Sequence, residues 1–163
     1  MTISVKLALT FGIAAAFVCV APTAAQEAAQ PSKLTFHGDT ALWTVAIKPD
    51  KTADFEQVMV RLHEALTKSA QPARQQQAQG WKIVRLSTPM PDGSVAYLHV
   101  VHPVVADADY TVMQILYDEL PEERQALYDL YRGAFAKNLS LATGTTIADM
   151  SVRVPGVPAI AAR

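Results

Sequence analysis

Ala41-Leu42-Trp43-Thr44-Val45-Ala46-Ile47-Lys48-Pro49-Asp50-Lys51-Thr52-Ala53-Asp54-Phe55 decides the fold, because the hydrophobic period changes inside it. Trp43, Val45 and Ile47 recur at period two on one face, with Leu42, Thr44 and Ala46 on the other. That alternation, rich in β-formers and stopped by Pro49-Asp50, predicts a strand over Ala41 to Lys48. From Ala53 to Ser69 the period lengthens. Phe55, Val58, Met59, Leu62 and Leu66 return every three or four residues as one apolar helical stripe. Thr52 is placed to cap this helix, and Asp54 and Glu56 put negative charge at its positive end.

Working outward, Pro72 to Gln79 reads as a short second helix ended by Gly80. Trp81 to Thr88 and Val95 to His102 read as two strands around the turn residues Pro89, Pro91 and Asp92-Gly93. An even loop would put Val84 and Leu86 on the face of Tyr97 and His99, and an odd loop would put Arg85 there. A long helical region follows, restarted at Leu120-Pro121-Glu122-Glu123 and carrying Leu127, Leu130, Tyr131, Ala134 and Phe135. Thr146 to Arg153 is expected to be the last strand, with Ala148, Met150 and Val152 on one side. The order β-α-β-β-α-β predicts a ferredoxin-like α+β fold: a four-stranded antiparallel sheet, ordered 4-1-3-2, with helices on one face. Leu42, Ala46, Tyr97, Val101 and Ile147 are then expected on the open face, an apolar surface of the kind that marks an interface.

The ends of the 163-residue chain read differently. Residues 1–25 have the pattern of a secretory signal peptide: Lys6, the apolar run Leu7 to Val20, and small Thr23 and Ala25 before an expected cleavage. Cys19, the only cysteine, lies inside it. The expected mature protein is therefore a cysteine-free periplasmic or secreted chain, stabilised by its core and not by disulfides. Residues 26–40 are expected to be a polar, flexible leader, 41–153 the folded domain, and 154–163 an extended tail with Pro155, Gly156 and Pro158. Half of the residues are apolar and 18% charged, which excludes a disordered chain. With 14 basic and 15 acidic residues there is no basic field for nucleic acid, and no further segment is long enough to span a membrane.

The runs Ile47-Lys48-Pro49-Asp50-Lys51-Thr52-Ala53-Asp54-Phe55 and Gln77-Ala78-Gln79-Gly80-Trp81, set in that element order, resemble the dimeric α+β barrel superfamily. The resemblance covers roughly Ala41 to Arg153. It implies a homodimer in which two sheets pair through their open faces. The superfamily includes cofactor-independent monooxygenases of the antibiotic-biosynthesis type, haem-degrading enzymes and stress-responsive members, so the fold leaves function open. The chain departs from the common pattern in its signal peptide and in a second helical region broken near Pro121.

Little in the chain reads as catalytic machinery. His99 and His102 are three apart on a strand and point to opposite faces, so they cannot share an ion within one chain. His63-Glu64 lacks the second histidine of a zinc-protease helix. No metal site and no cofactor are expected, and no nucleophile elbow or phosphate loop occurs. Tyr97 and His99 share a face of the third strand. They are either the polar groups of a pocket or a hydrogen-bonded pair in a packed interface. Trp43 is a candidate wall of a flat apolar pocket, and His63 borders the helical stripe. Asn138-Leu139-Ser140 matches a glycosylation sequon, relevant only in a eukaryotic secretory route. The residues thus favour a homodimer that binds a small apolar or aromatic molecule, or serves structurally, without assigned catalysis. The resemblance adds two alternatives: a cofactor-independent monooxygenase acting on aromatic or quinone-like compounds, and a haem-binding protein.

Overall fold

β1 runs Thr40–Ile47 and ends in a single tight turn at Pro49–Lys51. The structure, a computed structural model, describes residues 33–150. The expected signal peptide and the tail 154–163 lie outside them. Helix α1 follows directly over Thr52–Lys68, and its buried residues are Phe55, Val58, Met59, Leu62, Ala65 and Leu66. This is the predicted stripe extended by Ala65. Thr52 is the first helical residue, not the cap, and no side chain caps the helix. Lys51 Nζ instead pairs with Asp54 at 2.9 Å across the first turn. Helix α2 spans Pro72–Gly80 and opens on proline, whose fixed φ suits a first turn.

β2, Trp81–Arg85, and β3, Val95–Val101, form the antiparallel hairpin. Arg85 stands opposite Tyr97 and Ile83 opposite His99, so the odd-loop register is the one adopted. Helix α3 covers Val112–Glu119. After a turn at Pro121–Glu123, helix α4 runs Arg124–Ala134. β4 then occupies Phe135–Gly144. The expected last strand, Thr146 to Arg153, is thereby corrected: residues 145–150 form no strand, Ile147 is fully exposed, and 151–153 lie outside the described residues. Ala136, Lys137, Asn138, Ser140 and Ala142 give β4 a composition with weak strand preference. Two β-bulges also break its period.

Four antiparallel strands make one sheet in the order β2-β3-β1-β4, and the four helices make the chain α+β. Residues directly opposite in an antiparallel pair share a face. Trp43 faces His99, Val45 faces Tyr97 and Ala41 faces Val101, and all six are buried. Phe55 of α1 packs on the Tyr97 ring at 4.6 Å and on Tyr131 of α4 at 6.2 Å, so this is the helix-covered face. Tyr97 and Val101, expected on the open face, are thus corrected to the core. The open face carries Val84, Leu98 and Thr44 in one row and Lys82, Val100 and Leu42 in the next. Leu42 and Val84 keep 38% and 45% of their surface there. In the third row, Ala96 and Ala46 are buried beside Lys137, whose ammonium meets Asp92 of the hairpin loop at 2.8 Å. Contact with Lys137, then with Ser94, holds the Asp92 carboxyl well below the usual carboxylate range.

The segment before β1 is also corrected, because it is not a free leader over residues 33–39. Phe36 is buried against Trp43 and Tyr110, with ring centroids 5.2 and 5.0 Å away. Leu34 N–H donates to Asp109 Oδ1 and to Thr111 Oγ1, both at 3.1 Å, and the Leu34 carbonyl accepts from Tyr110 N–H at 2.8 Å. Gly38 adopts φ +87°, and a Cβ there would lie 2.2 Å from the Gly144 carbonyl oxygen. Only glycine allows that approach of the leader to the end of β4.

Candidate functional site

A half-open cavity of about 490 Å³ lies on the helix-covered side, along β1 and β4. Trp43 and Val45 form its floor. Tyr131 of α4 and the segment Tyr110–Val112 form its walls, with Leu34 beside them and Asn138 to Leu141 along the edge strand. The lining is mostly apolar and aromatic, and it holds no acidic, basic or histidine side chain. Its volume falls in the usual range for small-molecule sites, roughly 300–1,000 Å³.

The walls are fixed from behind. Arg74 and Gln77 of α2 are buried and both donate to the Asp109 carbonyl, at 2.8 and 3.0 Å. Arg74 also reaches Asp118 at 3.4 Å. Tyr110 is fully buried, and its hydroxyl accepts from Val105 N–H at 2.9 Å. Burial raises its pKa. The Tyr131 phenol is pushed up to about 12 by burial, so it is a neutral donor at any ordinary pH.

Of the four candidates from the sequence, Trp43, His99 and Tyr97 come together on neighbouring strands, but only Trp43 lines the cavity. His99 is 1% exposed, and its ring stacks on Trp43 with centroids 4.5 Å apart and planes 13° from parallel. Trp81 Nε1–H donates to His99 Nδ1 at 3.1 Å. Indole nitrogen can only donate, so Nδ1 is the acceptor and the neutral ring carries its proton on Nε2. That Nε2 is buried without a partner among the described residues. Desolvation lowers the His99 pKa to about 3. A neutral, enclosed imidazole is a packing element and not a poised base.

Tyr97 is buried beside Phe55, and its hydroxyl donates to Glu56 Oε1 at 2.6 Å. The same oxygen accepts from Arg85 at 3.1 Å. Burial first, then the bond to Glu56 and its charge, push Tyr97 up to about 12. This trio closes one end of the sheet. His63 is on the exposed side of α1, away from the cavity, beside Thr67 and Gln75.

Sequence reasoning missed Asn138, Tyr110 and the Arg74–Gln77 clamp. Asn138 sits in β4, a strand the sequence did not reveal. Arg74 and Gln77 stand one helical turn apart in a polar helix that gives no apolar stripe to notice. Among the described residues no group of three potential metal ligands occurs, and no helix is long and apolar enough to cross a membrane. Compared with known proteins, the chain matches no family model, no curated protein and no solved structure. Its site is therefore read from its own geometry.

Proposed function

We propose that the protein is an exported homodimer that binds a small apolar molecule in the cavity between sheet and helices, without catalysing its conversion. The observation that carries this reading is the cavity itself: about 490 Å³, walled by Trp43, Val45, Tyr110, Val112 and Tyr131, and held open by buried hydrogen bonds behind it. Apolar walls with a few polar groups are what a binding site for such a ligand requires. Export rests on the sequence of residues 1–25.

The ferredoxin-like, dimeric α+β barrel reading belongs to the same proposal. It is supported by the strand order and by the open sheet face, where Leu42, Val84, Leu98 and Val100 lie on the side opposite the described helices. The partner is a second copy, sheet against sheet.

A monooxygenase acting on aromatic compounds would use the same cavity, and the aromatic walls favour a flat ligand there. A haem in that cavity would find no histidine among the lining residues, since His99 is sealed behind Trp43 and His63 is on α1. Native mass spectrometry of the protein purified from its exported fraction tests the binding reading. A bound apolar molecule, displaced by substitution in the cavity, is expected. Oxygen consumption with a bound polyphenol would move the assignment to the oxygenase.

A further inference from the structure

We infer that the cavity selects an uncharged ligand and that Asn138, turned onto the helix-covered side by a β-bulge, reads a carbonyl or hydroxyl at the ligand's outer end. The inference rests on the binding reading above and names the ligand class for the same site.

The register of β4 supplies the geometry. Asn138 stands opposite Val45 and Leu141 opposite Trp43, so both share the face of those buried residues. They are three apart in sequence, a spacing that puts residues of a regular strand on opposite faces. The pairing shifts between Thr44 and Val45, and Leu139 is the extra residue that absorbs the mismatch. Without this bulge, the side of the strand that carries Leu141 would not carry Asn138. A second shift, between Ala46 and Ile47, passes over Ala136 and puts Phe135, opposite Ile47, on that same face.

The hydrogen-bond inventory then singles out the free polar groups. Thr111 Oγ1 is engaged by Leu34 N–H, and the Tyr110 hydroxyl by Val105 N–H. Ser140 stands opposite Thr44, on the side of the open face. Among the described residues, the lining groups left without a hydrogen bond on the helix-covered side are the Trp43 indole N–H, which can only donate, the Asn138 amide and the Tyr131 hydroxyl. An amide both donates and accepts, so it suits a carbonyl or a hydroxyl equally. Asn138 is exposed, at the outer part of the cavity, while Trp43 and Tyr110 are buried deep in it. A ligand with an apolar body and one polar end matches that gradient.

Charge is selected against by the same lining. A carboxylate or ammonium entering the cavity would leave water and meet no opposite charge. The adjacent Lys137 cannot serve, because it stands opposite Ala46 on the open face with its ammonium on Asp92.

Three naphthalenes of one shape test this: 2-acetylnaphthalene, 2-ethylnaphthalene and 2-naphthoate, titrated calorimetrically into the whole exported protein at neutral pH. The acetyl and ethyl compounds are expected to bind and the naphthoate to bind at least tenfold more weakly than the acetyl compound. In Asn138→Leu, the ratio of acetyl to ethyl affinity is expected to fall roughly three- to tenfold, the scale of one hydrogen bond. Lys137→Ala should leave the ranking unchanged. Naphthoate binding as tightly as the acetyl compound, or an unchanged ratio in Asn138→Leu, overturns the inference. Leu141→Trp, which fills the cavity rim from an exposed position, separates the two failures. If all three ligands bind that variant as they bind wild type, or none binds wild type, the binding reading itself falls.

Discussion

His99 should make the protein measurably acid-sensitive well above the pH where its own imidazole titrates. In the folded chain its pKa is lowered from 6.5 to about 3 by burial among Trp43, Trp81 and Phe55, none of them charged. In the unfolded chain the ring takes up a proton below about pH 6.5, so the unfolded state binds more protons as acid is added. The stabilising contribution is therefore complete above that value and lost as the pH falls toward about 3, where both states are protonated. The maximum loss is about 5 kcal/mol from a shift of this size, and the part between about pH 7.5 and pH 5 is about 2 kcal/mol. Urea unfolding of wild type and His99→Gln at those two pH values isolates it. The variant cannot titrate at this position, so wild type should lose about 2 kcal/mol more than the variant over the interval. Its absolute stability at neutral pH is irrelevant to the comparison. A difference below about 0.5 kcal/mol would mean that the folded imidazole accepts a proton at ordinary pH. His99 would then be open to water, and the sealed Trp43–His99–Trp81 stack would be wrong.

Val101→Asp should abolish folding, not dimerisation, since Val101 is fully buried under the helices; an unpaired charge there costs several kcal/mol, and circular dichroism would show the loss. Leu42→Asp, on the open face through which the proposed dimer pairs, should keep the native spectrum yet move the light-scattering mass from dimer to monomer; a wild type that is monomeric, or a variant that stays dimeric, refutes that pairing. Tyr97→Phe removes a bond to half-exposed Glu56 and should lower stability by about 1 kcal/mol in denaturant unfolding. Gln77→Ala should lower stability by about 1–3 kcal/mol and loosen the wall of the cavity, read as faster amide exchange at Tyr110 and Thr111.

Elements with one clean period were legible in the sequence. β1 and α1 could be read because Trp43-Val45-Ile47 and Phe55-Val58-Met59-Leu62-Leu66 each bury a single face. β3 shows where that logic stops. Its two faces, Val95-Tyr97-His99-Val101 and Ala96-Leu98-Val100, are about equally apolar, so alternation cannot say which turns inward. The sequence reading put Tyr97, and with it His99, on the open face. The structure buries both, because Trp81 and Glu56 supply the hydrogen bonds that make burial tolerable. β4 was misplaced for a different reason. It follows α4 with no intervening loop, Ala134 ending the helix and Phe135 opening the strand, and its bulges erase the period-two signal.

The same features explain why the candidate site was only one quarter visible among the four residues first singled out. Trp43 belongs to the cavity, while His99 and Tyr97 stand behind and beside it. Their part is mechanical. The Trp43 ring that floors the cavity is stacked on His99, and His99 is itself oriented by the Trp81 indole. On the opposite wall, Tyr110 is held by Val105 while Arg74 and Gln77 grip the neighbouring Asp109 carbonyl. Apart from the Trp43 indole N–H, which lines the cavity without a hydrogen bond, each of these groups has its polar atoms engaged within the fold or, for His99 Nε2, sealed from the cavity. In the proposed binding reading, a ligand's carbonyl or hydroxyl is met on the wall that is not so engaged, which holds Asn138 of the edge strand and the Tyr131 hydroxyl. On that proposal the edge strand could change ligand preference without disturbing the core, since Asn138 and Leu141 are exposed while Trp43 and Tyr110 are not.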